Sequence, residues 1–185
     1  MSCRARMPAM NPTDTPPAPS FKLRPAELRD VQAIVGLIRE LADFEQLTHL
    51  LQVTPEKLRP HLFGERPVAE ALVAELDAGE GGKPEVVAFA LFFTNFSTFL
   101  AQPGLYLEDL FVRPAHRGLG IGQALLKRLA ALAVERGCGR FEWSVLDWNA
   151  NAIRFYERMG ATVMPDWRIC RVTGDALRDM GEGAA

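Results

Sequence analysis

The stretch Tyr106-Leu-Glu-Asp-Leu-Phe-Val112, followed by Arg113-Pro114 and then Arg117-Gly-Leu-Gly-Ile-Gly122, decides how the rest of the chain is read. The first seven residues are aromatic and aliphatic with two carboxylates set among them, which predicts a strand. Pro114 ends it, because proline donates nothing to a ladder. Beyond the turn, Ile121, Leu125, Leu129 and Leu132 recur with the period of an amphipathic helix. Gly118, Gly120 and Gly122 therefore fall at a helix N-terminus. Unpaired backbone amides and the positive end of the helix dipole converge there, a natural seat for a diphosphate, and Arg117 adds a forked cation. The same glycines also suit a plain tight turn between strand and helix. Their G-x-G-x-G spacing is not the G-x-G-x-x-G of dinucleotide folds, and no Gly-Lys-Ser or Gly-Lys-Thr follows, so two named phosphate loops are set aside.

Working outward, Arg136-Gly-Cys-Gly139 is a helix stop, and Phe141 to Leu146 is predicted as a strand. A helical crossover makes it parallel to the Tyr106 strand. Asn149 or Asn151 can cap the next helix, which carries Ile153, Phe155 and Tyr156 and closes at Gly160, and Val163 to Arg171 is predicted to supply the final strands. Upstream, Phe21 to Arg24 alternates as a short strand, and Pro25 and Glu27 open a helix with Val31, Ile34, Val35, Ile38 and Leu41 on one face. Asp43 and Glu45 lie at the end of that helix, where carboxylates oppose its dipole. Thr54-Pro55 starts a second helix that runs to Phe63-Gly64. Leu72 to Glu75 and Val86 to Phe93 form a predicted antiparallel hairpin around the Gly-rich turn Asp77 to Pro84, and Phe96 and Phe99 fall in a loop before Pro103-Gly104.

Composition excludes several classes. The 185 residues suit one domain, with 48% apolar and 24% charged residues and a formal net charge of −2. That charge gives no basic field for nucleic acid, and no apolar run reaches the roughly 18 residues of a membrane helix. Cys3, Cys138 and Cys170 form neither a disulfide framework nor a zinc pattern, which fits a cytoplasmic protein and implies no metal. Residues 1–20 hold five of the thirteen prolines and are predicted to be a disordered tail, leaving residues 21–185 as the domain.

Arg117-Gly-Leu-Gly-Ile-Gly122 is similar to the R/Q-x-x-G-x-G/A signature of the GNAT acyltransferases. Tyr106 to Val112 and Trp148-Asn-Ala-Asn-Ala-Ile-Arg-Phe-Tyr-Glu-Arg-Met-Gly160 resemble the diamine (spermidine/spermine) N-acetyltransferase branch, which also contains thialysine acetyltransferases. Leu23-Arg-Pro25, Leu37 to Glu45, Phe63 to Pro67 and Leu72 to Glu75 resemble it in the same order, so the likeness spans Phe21 to Met180. It implies an α/β fold with a mixed, mostly antiparallel central sheet, a splayed parallel strand pair and flanking helices. It also implies acetyl-CoA as co-substrate, with the pantetheine arm against the backbone of Leu110, Phe111 and Val112. The diphosphate would lie on Arg117, Gly118, Leu119, Gly120, Ile121, Gly122 and Gln123, with Asn149 as a further cofactor contact. Phe44, Glu45, Glu108 and Asp109 would line the amine pocket, with Phe44 where the branch usually has Tyr. Tyr156 would protonate the departing thiolate. Members of the family are commonly homodimers.

Acetyl transfer to an amine needs the amine neutral, a state that an ammonium of pKa about 10.4 reaches in about one molecule per 10³ at pH 7. A base or a desolvating site must offset that handicap. Glu108, a carboxylate within an apolar strand close to the glycine turn, is the candidate base, acting through water. Glu108 and Asp109 are adjacent, so in an unbulged strand only one can face the amine. Alternatively, both serve structural polar contacts or sit in a bulge. Taken alone, Tyr156 also suits a core aromatic and Asn149 a helix cap. The expected activity is direct acetylation of a small polyamine or diamine-like amine. The alternatives are a peptide or amino acid as acceptor, or a non-catalytic CoA-binding module. Cys138 has no histidine near it in sequence to activate it as an acyl carrier.

Overall fold

In the computed structural model, which describes residues 20–77 and 82–182, five strands form one sheet in the order β1-β2-β3-β4-β5. These are β1 Phe21–Pro25, β2 Glu70–Leu76, β3 Glu85–Ser97, β4 Gln102–Val112 and β5 Arg140–Trp143. The first three junctions are antiparallel and the β4-β5 junction is parallel, as a helical crossover requires. The helices are α1 Val31–Phe44, α2 Pro55–Phe63, α3 Ile121–Glu135, α4 Ala150–Arg158 and α5 Gly174–Gly181. Contacts divide the chain into two compact units, one up to Ser144 and one from Val145 that carries α4 and α5. The predicted tail, apart from Ser20, lies outside the described residues.

Each face of the first unit's sheet buries one half of the strand alternation. Ala71, Val73, Phe89, Leu91 and Phe111 form one cluster with Ile34 and Leu37 of α1 and Leu62 of α2. The opposite face is crossed by α3, whose Ile121, Leu125 and Leu129 are fully buried, as their period predicts. The expected caps form: the Thr54 hydroxyl accepts from the Lys57 amide at the start of α2, and Asn149 Oδ1 accepts from Ala152 N–H at the start of α4.

Several stretches depart from the sequence pattern: the strand expected over Phe141 to Leu146 ends at Trp143, and α5 was not expected. Of Phe96 and Phe99, expected in a loop before Pro103-Gly104, Phe99 lies in the turn Thr98–Ala101, whereas Phe96 belongs to the long β3-β4 hairpin and pairs with Pro103. The register between β3 and β4 carries Pro103, which is tolerated near a strand end. Val163 to Arg171, expected as the final strands, has no regular structure. Every residue from Thr162 to Glu182 is exposed, and residues of strand-forming type make no strand without a ladder partner.

A buried ion cluster ties β1 and β2 to the start of α1. Arg24, on β1, donates to Asp30 Oδ2 at 2.6 Å and to Glu75 Oε2 at 2.5 Å, and Asp30 also accepts from the Glu27 amide at 2.7 Å. Burial pushes the Asp30 carboxyl upward, but the Arg24 guanidinium and the Glu27 amide together hold it below the usual carboxylate range. A carboxyl lowered by folding contributes stability at neutral pH, and that contribution disappears as pH falls through its folded pKa. Arg24→Met leaves the Asp30 carboxylate, 4% exposed, without its counter-charge. Urea denaturation at pH 7 should show a loss of about 3–5 kcal/mol. Arg29→Met, which removes an exposed pair with Glu27, should lose less than about 1 kcal/mol.

Candidate active site

The glycine turn is built for close approach. After the short 3-10 turn Pro114–His116, Gly118 and Gly120 have φ of 85° and 82°, a left-handed backbone that residues with a Cβ rarely adopt. Gly120 is the N-cap of α3, and the first helical bond runs from Ala124 N–H to the Gly120 carbonyl. The amides of Ile121, Gly122 and Gln123 therefore precede the helix's own ladder. Nothing lies within 4 Å of where a Cβ on Gly118 or Gly120 would stand, so the ground above them is open. Ile121 offers only its backbone, since its side chain is core. These are the features a diphosphate requires.

Beside the turn, β4 loses a partner. It pairs with β5 only from Gly104 to Leu107, against Arg140 to Trp143, and then continues to Val112 with β3 alone. The parallel pair expected from the resemblance is present, and β5 ends at Trp143, leaving the backbone of Leu110, Phe111 and Val112 beyond the end of the β4-β5 ladder. An edge of this kind presents alternating donors and acceptors to an extended ligand such as a pantetheine arm.

One residue earlier, the register slips. Leu91 pairs with Asp109 and Phe92 with Leu107, so Glu108 is the extra residue of a β-bulge. Alternation through the unbroken β3 then sets Tyr106, Asp109 and Phe111 on the α1 face and Leu105 and Leu107 on the α3 face. An unbulged strand would have put Asp109 on the face of Leu107 instead. Asp109 is consequently half-buried, and its carboxyl is pushed up to about 6 by burial and by the nearby charges of Glu108 and Glu45. Glu108 itself is exposed.

Glu45 reaches this place because α1 stops beneath it. Gln46 takes a left-handed φ of 60°, and Leu47 N–H bonds back to the Ala42 carbonyl at 2.8 Å, closing the helix end. Asp43 accepts a hydrogen bond from the Thr48 hydroxyl, while burial pushes the Glu45 carboxyl upward. Phe44, 41% exposed, lies under the Arg117 guanidinium at 5.0 Å from its ring centre, and Phe111 lies 5.6 Å from the same guanidinium. Arg117 Nε donates to the Val112 carbonyl at 3.0 Å. The sequence offered no sign of this stack. The first unit thus gathers Phe44, Glu45, Glu108, Asp109, Arg117 and the glycine turn. Within the second unit, Asn149 caps α4, and Tyr156 is half-buried with its ring 5.4 Å from that of Phe155.

Residues 37–161 match the acetyltransferase (GNAT) family. The chain belongs to that family. It is 38% identical to an L-ornithine N5-acetyltransferase of Arabidopsis thaliana, over 85% of this chain and 86% of the relative. It is 39% identical to a thialysine N-epsilon-acetyltransferase of Mus musculus, over 87% of this chain and 97% of that one. Among solved structures, an integron cassette protein from V. cholerae shares the fold with a TM-score of 0.72, at 24% identity, over 88% of this chain and 98% of that one.

As a GNAT acetyltransferase the protein uses acetyl-CoA as co-substrate, and the open glycine turn and the unladdered end of β4 fit its diphosphate and amide-bearing arm. Among the described residues no helix is long and apolar enough to cross a membrane, and no group of three His, Cys, Asp or Glu side chains could hold a metal ion.

Two measurements check this geometry. Gly120→Val forces a β-branched residue into φ 82° and covers the amides, so calorimetric CoA affinity should fall at least tenfold in the folded variant. Asp109→Asn should stabilise the unliganded protein at pH 8. A carboxyl raised by folding binds protons more tightly in the native state, so the wild type loses stability as pH rises through about 6. Melting temperatures of the two proteins should therefore converge near pH 4.

Proposed function

We propose that this GNAT enzyme acetylates the primary amine of a small substrate that carries a second positive charge, and that Glu45, Glu108 and Asp109 receive it. The observation behind this reading is the Asp109 carboxyl, raised by its own burial and by two neighbouring carboxylates. A site that gathers three acidic side chains and holds the Asp109 and Glu45 carboxyls at such a disadvantage is relieved by a cationic guest. An ammonium seated there favours the ionised form of Asp109, so amine affinity should fall as pH drops through about 6.

The relatives narrow the class. Ornithine and thialysine, named for two of them, are both amino acids with a side-chain amine. That favours a diamine bearing a carboxylate over a simple polyamine. A CoA-release screen should therefore show L-ornithine and thialysine ahead of putrescine and spermidine, with monoamines and peptides slowest. Equal rates for monoamines and diamines would remove the charge argument.

Acetyl-CoA supplies an activated acetyl group, and the chain must supply proton handling. Desolvation and the carboxylates hold the amine for deprotonation, and the bulge offers two candidate acceptors. Glu108, the base expected from sequence, is exposed and can act through water. Asp109, with a carboxyl near 6, is better matched to accept a proton at neutral pH, so we assign it the larger share. The acidic limb of kcat/KM against pH should lie near 6 and be abolished by Asp109→Asn. If Glu108→Gln alone abolishes it, the base is Glu108 as first expected.

Tyr156 is the proposed acid for the leaving sulfur, with support from the Phe155-Tyr156 pair that resembles the diamine branch. Tyr156→Phe should lower kcat by about ten- to ten-thousandfold and leave CoA affinity in place. A homodimer in the cytoplasm completes the reading, supported by the same resemblance and by the cysteine usage.

A further inference from the structure

Most of the arginines that brace this fold are neutralised where they stand. Arg24 lies between Asp30 and Glu75, Arg113 between Glu40 and Glu85, and Arg136 against Glu70. Arg117 is held differently. Its guanidinium lies 5.0 Å from the ring centre of Phe44 and 5.6 Å from that of Phe111, and Nε bonds to a neutral carbonyl, Val112 O, at 3.0 Å. Among the described residues it is paired with no carboxylate. Rings and a carbonyl fix a guanidinium without cancelling its charge, and Nη1 and Nη2 remain as donors for an anion.

The two rings differ in kind. Phe111 is 3% exposed and part of the α1-face core, so it is a fixed floor. Phe44 is 41% exposed at the last residue of α1 and has no comparable place in the core. We infer that Phe44 is a positioning residue for the CoA diphosphate: its ring holds the Arg117 guanidinium at the glycine turn in the charged, unpaired form that receives the phosphates. This rests on the reading of that turn as the diphosphate site, and it gives Phe44 a role on the cofactor side in addition to the amine pocket. A ring shared by both places makes the two substrates' affinities interdependent, because whatever moves Phe44 also moves Arg117.

A double-mutant cycle on CoA binding tests the inference, read by calorimetry on the full chain with folding checked by thermal melting. Phe44→Leu keeps apolar bulk but removes the π face, and should raise the CoA Kd about two- to fivefold, the span of a single exposed cation–π contact. Arg117→Gln should raise it further, and adding Phe44→Leu to Arg117→Gln should change nothing more. Phe44→Tyr, which restores a ring, should bind CoA like the wild type. Should Phe44→Leu fail to fold, Phe44→Met takes its place in the cycle.

Additive effects of the two substitutions, or an unchanged Kd in Phe44→Leu beside a weakened Arg117→Gln, would overturn the positioning role alone. An unchanged Kd in Arg117→Gln would also overturn it, while a weakened Gly120→Val would leave the diphosphate site standing. Only if Gly120→Val binds CoA normally as well does the reading of the turn fail with it.

Discussion

The extra residue at Glu108 sets the geometry of the site, because a sheet with period two cannot place adjacent side chains freely. Before the bulge, β4 sends Tyr106 toward α1 and Leu107 toward α3. After it, Asp109 and Phe111 face α1, although simple counting from Tyr106 would send them the other way. Without the slip, Asp109 would join Leu105 and Leu107 among apolar side chains, at a prohibitive desolvation penalty for a carboxylate. Phe111 would leave the α1-face core and the Arg117 stack. The same residue coincides with the end of the β4-β5 ladder at Leu107 and Trp143. Presentation of the carboxylate and the free edge of β4 thus lie side by side on one strand.

Much of the first unit was legible because its signals are local. The strand at Tyr106 to Val112, the glycines at the start of α3, the buried stripe of α1 and the caps at Thr54 and Asn149 are all written within a few residues of where they act. The bulge stood only as an alternative, since a single inserted residue carries no composition of its own. Glu108 and Asp109 therefore looked like members of opposite faces, with Glu108 the more promising. Contact across the fold was equally hidden. Phe44 read as a pocket wall and Arg117 as a bare cation, and only the folded chain brings ring and guanidinium together. The error at Val163 to Arg171 has a different origin: its apolar residues suit a strand, but a strand is a relation between two segments, and the sequence shows one of them.

The arginines illustrate how one side chain serves opposite ends. At Arg24, two carboxylates in a mostly buried setting make the charge part of the architecture, costly to disturb and closed to outside anions. At Arg117, aromatic faces and a carbonyl supply orientation without neutralisation. Lysine could stand in for neither, since a compact ammonium cannot stack on a ring and bond sideways to a carbonyl in one plane.

The strand order also carries a history of assembly. β2, β3 and β4 are consecutive in the chain and neighbours in the sheet, so their pairings close short loops and can form early. β5 is four residues long and joins β4 only after α3 has crossed the sheet. Like β1, the other short edge strand, which reaches β2 only across α1 and α2, it is a late arrival in folding, and its amides should exchange with solvent well before those of β3. The edge of β4 that the pantetheine arm would follow is thus bordered by a short edge pairing, one that can open while the central antiparallel strands stay closed.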